Sequence, residues 1–398
     1  MKMIAASPGI SYARVQEPEH APILVGAVQH RWHPDPAEHQ MALAEGVRMA
    51  ANAGARLVCL QELTLSKYIA VTPEGPRPGA QPEPLVGGPT TSFAGNLEKE
   101  TGAYVHASLW EERPGETLGF NTAVVMSPDG SIAARTRKIH IPMTAGYYED
   151  KYFVGGPPGA GAFRTLDIEG ANFGFPTCWD QWFPELARAY SLAGAAVLVY
   201  PTAIGSEPDH PDFDTEPLWE RVIIANGIAN GTFMIAVNRI GFEEPIHFYG
   251  SSFISDPYGR KLVQAPRDEP VVLVADLDID QGRDWLNLFP FLETRRPDAY
   301  APLVYDVPRS APATSIEGSE EYLQCHSWSL WHEHPRTPGN GCYRGRATLP
   351  SLGFGPVADE AESDLVKGMD VSPSRYLWRP SMRSAMHSSV PSWNVTTN

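Results

Sequence analysis

Short, almost wholly apolar runs constrain this chain's fold more than any other feature. They are "PILVGAVQ" (22–29), "RLVCLQE" (56–62), "AAVLVYP" (195–201), "TFMIAVN" (232–238) and "VVLVADLD" (271–278). A strand with one wet face alternates apolar and polar residues, so runs without alternation predict strands covered on both faces. Helical patterns stand between them. In 35–55, Met41, Ala44, Val47, Arg48 and Ala51 recur at helical spacing, with Asp35 as N-cap, Pro36 at the first turn and Gly54 as a stop. Helices are also predicted over 90–102, from Pro184 and over 216–231, and strands over 103–111, 163–168 and 171–176. Two strand–turn–strand devices break the alternation. They are "FNTAVVMSPDGSIAARTRK" (120–138), turning at "SPDG", and "FYGSSFISDPYGRKLVQA" (248–265), turning at "DPYG". A purely doubly wound sheet has no use for hairpins. The expected architecture is an α/β fold with a mixed sheet, or with two sheets packed on each other and helices outside.

The chain has 398 residues, 42% of them apolar, which is enough for one large domain or two ordinary ones. A net charge of −16 argues against nucleic acid, whose phosphates select basic surfaces. No basic run suits an anionic membrane, and no apolar stretch approaches the roughly 20 residues of a membrane helix. The opening "MKMIAASPGISYARVQEPEH" is apolar only over 3–6, too short for a secretory signal, so a cytoplasmic setting is expected. Cys59, Cys178, Cys325 and Cys342 are too scattered for a disulfide framework or a CxxC metal site. The cluster Cys325, His326, His332 and His334 matches no standard zinc spacing, and neither metal nor cofactor is expected. Residues 1–20 read as an N-terminal extension, 21–305 as the folded domain, and 306–398 as a tail, loosely structured or an added element, because periodicity stops there.

The stretch "FGFPTCWDQWFPELARAY" (173–190) sets a cysteine where a strand gives way to a helix. Glu62 ends the run "RLVCLQE", Lys138 follows "SIAARTR" and Cys178 follows "ANFGFPT". Ligands gather at strand C-termini in α/β proteins, so separate strands are placed to aim these groups at one pocket. Taken singly, each has a plain reading: a solvated carboxylate, a surface lysine, a packed thiol. Together they make a coherent base, cation and nucleophile. A papain-like pairing of Cys178 with His140 or His247 stays open, as does a non-catalytic interaction protein.

The segments "LQEL" (60–63), "RKIHIP…GYYEDKYF" (137–153), "CWDQWFPELAR" (178–188), "YPTAIGSEP" (200–208), "NRIG" (238–241), "GSSFISDPYG" (250–259) and "ETRRPDAY" (293–300) resemble the nitrilase superfamily. They are most similar to its N-carbamoylputrescine amidase and β-ureidopropionase branch. The resemblance implies a four-layer α-β-β-α sandwich over 21–305. It implies Glu62 as general base, Lys138 as catalytic lysine, Cys178 as nucleophile and Glu149 as a second glutamate beside the lysine. Tyr68, Tyr147, Trp179 and Trp182 are expected around the substrate. The implied reaction is hydrolysis of an N-carbamoyl amine or amino acid through a thioester, with no cofactor, in a homodimer or larger homo-oligomer. An aliphatic amidase or nitrilase using the same residues is the alternative. Two positions depart from the branch's pattern: Pro176–Thr177 before the nucleophile, and "LTLSKYIAVTP" (63–73) after the base. A thiol of pKa about 8.5 does not yield its proton to a carboxylate of about 4.3 unaided; a nearby ammonium and burial of the carboxylate bring the two together.

Overall fold

The structure, a computed structural model, describes residues 1–159 and 161–304. Its strands are β1 (Lys2–Ala6), β2 (Ile23–Gln29), β3 (Leu57–Cys59), β4 (Tyr104–Glu111), β5 (Phe120–Met126), β6 (Ile132–Arg137), β7 (Leu166–Ile168), β8 (Ala171–Gly174), β9 (Val197–Pro201), β10 (Phe233–Val237), β11 (Ile240–Glu243), β12 (Ile246–Tyr249), β13 (Phe253–Ser255), β14 (Lys261–Gln264) and β15 (Val271–Leu277). The helices are α1 (Pro36–Asn52), α2 (Pro89–Thr101), α3 (Pro184–Leu192), α4 (Glu216–Asn230) and α5 (Asp280–Leu288).

Local signals explain where these elements begin and end. The carboxylate of Asp35 accepts from the N–H groups of Ala37 and Glu38 at 2.8 and 3.1 Å, capping α1. Gly231 ends α4 at φ +68°, the left-handed conformation that glycine adopts without a Cβ clash.

One sheet runs β1-β15-β2-β3-β4-β5-β6 and the other β14-β13-β10-β9-β8-β7; β11 and β12 form a separate ribbon. Between the sheets lies a core built from both, with Val25, Leu57, Val125 and Leu273 facing Phe173, Val199, Phe233 and Ile235. Outside the first sheet, Leu43, Val47 and Leu97 of α1 and α2 pack on Val58, Val105 and Val124. Outside the second, Leu186 and Tyr190 of α3 and Trp219 and Ile223 of α4 pack on Leu198, Tyr200 and Met234. This is the expected α-β-β-α sandwich. Strands buried on both faces account for the non-alternating runs, and each large apolar side chain so buried contributes about 2 kcal/mol. Gly174 is needed where β8 meets α3, since a Cβ there would lie 2.6 Å from the Tyr190 ring.

Several elements escape the sequence reading. The sequence offers no strand signal in residues 1–20, yet β1 pairs in parallel with β15 at the sheet edge. Its side chains are largely exposed, so it carries little apolar signature. Helix α5 buries Asp280, Gln281 and Asp284, a polar face that hydrophobic periodicity cannot detect. Asp280 and Asp284, with Asp278 just before the helix, hold the N-terminal segment: Arg14 reaches Asp278 and Asp284, and the Glu19 and His20 N–H groups donate to Asp280. The expectation for residues 306–398, with the Cys325, His326, His332 and His334 cluster, lies outside the described residues. Among the described residues no helix is long and apolar enough to cross a membrane.

Candidate active site

Cys178, Lys138 and Glu62 each sit just past a strand, on a segment that something else holds in place, while Glu149 opens the short 3-10 turn Glu149–Lys151. Strand β8 stops at Gly174, because Pro176 lacks the N–H that would continue the ladder. The chain then enters a single 3-10 turn, Cys178–Trp182, before α3. Cys178 opens that turn at φ +41°, a left-handed conformation that costs a residue with a Cβ about 1–2 kcal/mol. The Asp180 N–H donates to the Thr177 carbonyl at 3.0 Å, whereas the Trp179 N–H has no acceptor among the described backbone bonds and is open to a ligand oxygen. Lys138 directly follows β6, with its N–H on the Asn121 carbonyl at 2.8 Å.

Glu62 lies three residues beyond β3, in a loop where Leu63 also has positive φ (+48°). That loop is gripped by Arg239, wholly buried, whose guanidinium donates to the carbonyls of Glu62 and Leu63 at 2.7 and 3.1 Å. Glu243 pairs with the same guanidinium at 2.8 Å and accepts from the Tyr68 N–H at 2.7 Å. A buried charge lacking a partner costs several kcal/mol, so this pair persists because each charge faces the other and both accept or donate further hydrogen bonds to the loop. "NRIG" carried the arginine in plain view, but nothing local pointed it at Glu62. The preceding Asn238 accepts from the Ile204 N–H at 3.1 Å and donates to the Ile204 carbonyl at 2.9 Å, fixing the loop opposite Cys178.

At the centre, the Lys138 ammonium donates to Glu62 Oε1 at 2.9 Å and to both Glu149 oxygens at 2.9 and 2.8 Å. Asn121 Nδ2 donates to Glu62 Oε1 at 2.7 Å, which leaves Glu62 Oε2 buried and without a partner among the described residues. Tyr68 donates its hydroxyl proton to Glu149 Oε1 at 2.9 Å. Burial, then the neighbouring charge of Glu62, push the Cys178 thiol well above its ordinary pKa, while Lys138 opposes them. Burial works against the Lys138 cation too, yet Glu149 and Glu62 hold its pKa above the usual lysine value. Burial raises Glu149 to about 7, against the pull of Lys138. Two carboxylates thus share one cation beside a protonated thiol, an arrangement suited to moving a single proton.

Cys178 and Glu149 open onto a cavity of about 280 Å³, walled by Tyr147, Trp179, Trp182 and Ile204. Three of the aromatics expected near substrate therefore line it. Tyr68 is not among the lining residues; it stands behind Glu149. Sequence reasoning overlooked Glu207, a half-buried carboxylate on the cavity wall that accepts from the Thr215 hydroxyl at 3.3 Å. The histidine alternative finds no support. His140 Nδ1 lies 2.8 Å from Asp180 with its ring stacked on Phe183, and His247 is exposed on β12.

Comparison with known proteins agrees with this geometry. Residues 24–287 match the family model described as carbon-nitrogen hydrolase. An N-carbamoylputrescine amidase of Solanum tuberosum is 36% identical over 290 residues, spanning 71% of this chain and 95% of that protein. A citrullinase of Francisella tularensis is 35% identical over 291 residues, spanning 71% of this chain and 99% of that protein. The solved structure of a carbon-nitrogen hydrolase from Helicobacter pylori G27 superposes with a TM-score of 0.63 at 30% identity, over 72% of this chain and all of that one. With a family match over more than half its length, relatives at this identity and the sandwich itself, the chain belongs to the carbon-nitrogen hydrolase family.

Proposed function

We propose that residues 21–305 form an amidohydrolase acting on an N-carbamoyl amine or N-carbamoyl amino acid. In this reading Glu62 Oε2 takes the thiol proton as Cys178 Sγ bonds to the carbamoyl carbon. Lys138 and the Trp179 N–H receive the developing oxyanion, each such donor being commonly worth about 3–4 kcal/mol. Glu62 then passes its proton to the departing nitrogen. The C–N bond breaks, free amine leaves, and an S-carbamoyl enzyme remains. Water, deprotonated by Glu62, attacks that thioester, and the released carbamic acid falls to carbon dioxide and ammonia. Glu149 keeps Lys138 in place and charged throughout.

The observation that carries the substrate class is Glu207. A small cavity with Cys178 on its wall, apolar aromatic sides and a second half-buried carboxylate suits a short chain with a carbamoyl group at one end and a cation at the other. The names of the potato and Francisella relatives fit this class, since each describes cleavage of a carbamoylated amine or amino acid. The test is ammonia release across N-carbamoylputrescine, citrulline, N-carbamoyl-β-alanine, simple amides and nitriles. A ureido substrate is expected to turn over, and Glu207→Gln is expected to raise its KM about tenfold or more if it bears a cation. Turnover of amides or nitriles alone would select the amidase or nitrilase alternative.

We also read the protein as a cytoplasmic homodimer or larger homo-oligomer. Supporting self-association is an apolar groove on α3 and α4 lined by Leu192, Ile228, Phe291 and Leu303, of which Leu192 and Leu303 are largely exposed. A solution mass of at least twice 43.6 kDa is expected by light scattering.

A further inference from the structure

We propose that Asp180 is a positioning residue that locks the turn bearing Lys138 to the turn bearing Cys178. The inference rests on the roles given above to those two residues. Asp180 is wholly buried two positions after the nucleophile. One of its oxygens, Oδ1, accepts from the His140 N–H at 2.9 Å and from His140 Nδ1–H at 2.8 Å. The other, Oδ2, accepts from the Thr177 N–H at 3.1 Å, with the Ile139 N–H at 3.5 Å. One carboxylate therefore holds the residue before Cys178 and the two residues after Lys138.

The neighbourhood fits a clamp better than a simple core contact. The His140 ring lies flat on Phe183, centroids 3.6 Å apart and planes 6° from parallel. That stack fixes the imidazole so that Nδ1 faces the carboxylate. Phe183 directly follows the 3-10 turn that Cys178 begins, so His140 meets that turn at its middle, through Asp180, and at its end. Lys138 is pinned on its other side by the Asn121 and Gly156 backbone bonds, both 2.8 Å. Cys178, by contrast, sits in an unfavourable left-handed conformation that its neighbours must enforce. Asp180 joins the rigid half of the site to the strained half. Neither of its oxygens touches Glu62, Lys138 or Cys178 among the described hydrogen bonds, so its action is through geometry alone.

Replacing the carboxylate by an amide makes the clamp fail specifically. An Asn side chain presents one acceptor and one NH2, and every group facing this site is a donor. Either the Thr177 side or the His140 side must let go. A displacement of about 1 Å at the reacting groups is enough to lose about two orders of magnitude in rate.

The test compares Asp180→Asn, His140→Phe and the double variant. His140→Phe keeps the stack on Phe183 and removes only the ring N–H. Three readouts are taken: kcat and KM on a ureido substrate, thermal midpoint, and the pH profile of iodoacetamide alkylation at the peptide containing Cys178. Asp180→Asn is expected to lower kcat about 10–100-fold with KM changed less than about twofold. Its alkylation profile should move to higher pH, because Lys138 no longer lies where it favours the thiolate. His140→Phe should show the same pattern more weakly, and the double variant should fall no further than Asp180→Asn, as members of one device do. A folded Asp180→Asn with wild-type kcat and alkylation profile, or losses that multiply in the double variant, would overturn the proposal. If Asp180→Asn fails to fold, His140→Phe decides by the same profile. Should the wild-type protein hydrolyse no substrate, the functional reading fails, while the alkylation comparison still decides the clamp.

Discussion

Cys178→Ala abolishes hydrolysis, with an expected loss of about 10⁴-fold or more in kcat, and leaves the fold intact. A covalent route through a thioester has no substitute when the attacking atom is gone, and loss of a nucleophile commonly costs this much or more. Stability should scarcely suffer, because the side chain removed is small and, among the described residues, its sulfur only accepts from the Ala203 N–H. The same position offers a sharper test. With φ at +41°, any residue bearing a Cβ is strained there, whereas glycine is not. Cys178→Gly is therefore expected to be more stable than Cys178→Ala by about 1 kcal/mol. This inverts the usual ranking, in which glycine loses more chain entropy on folding than alanine. Urea denaturation of the two inactive variants decides it. If Cys178→Gly is the less stable, the turn does not store strain, and the exposed attitude of the nucleophile needs another cause.

Much of this architecture was legible because burial on both faces leaves a plain mark. The runs at 22–29, 195–201, 232–238 and 271–278 read as strands for the reason that they are strands, sandwiched between a second sheet and a layer of helices. The "SPDG" and "DPYG" turns likewise separate β5 from β6 and β13 from β14, as turn chemistry requires. What stayed hidden is held by polar groups. Helix α5 faces inward with Asp280 and Asp284, and β1 is an exposed edge; neither has the apolar period that sequence reading relies on.

The site divides the same way. Glu62, Lys138 and Cys178 stand at chain positions where a strand ends, and residue type alone gives them complementary chemistry. The structure brings Glu62 and Glu149 onto Lys138 beside the thiol, from segments far apart in sequence. The groups that hold them there could not be read. Arg239 reaches back to the Glu62 carbonyl, Asn121 donates to the Glu62 carboxylate, and Asp180 spans two loops, all by contacts that only the folded chain creates. Glu207 was hidden for another reason: inside "YPTAIGSEP" it looks like any loop carboxylate until the cavity is drawn around it.

Lys138→Met carries the second large effect, and it should appear in stability as well as in rate. Among the described residues the lysine is the one cation that bridges these two buried carboxylates. Removing it leaves Glu62 and Glu149 facing each other without compensation, which typically destabilises a fold by about 3–5 kcal/mol. Catalysis should fall by about 10³-fold, since the variant loses both an oxyanion donor and the charge that favours the thiolate. The destabilisation has a predictable pH dependence. Glu149 is already raised to about 7 by burial and by Glu62, with Lys138 opposing that rise. Without the lysine its folded pKa climbs further above the unfolded value of about 4.3. A carboxyl group whose folded pKa is raised contributes its stability in full at low pH and loses it as pH rises through the folded value. The gap between wild type and Lys138→Met should therefore be small near pH 5 and widen through pH 7 to 8. Urea melts at pH 5 and pH 8 measure it directly. Parallel losses at the two pH values would mean that Glu62 and Glu149 do not repel each other in the folded protein, and that Lys138 is held for its shape rather than its charge. A double variant, Lys138→Met with Glu149→Gln, separates the remaining contributions. It should recover most of the stability at pH 8 while recovering none of the activity, because it removes the repulsion without restoring a donor to the oxyanion.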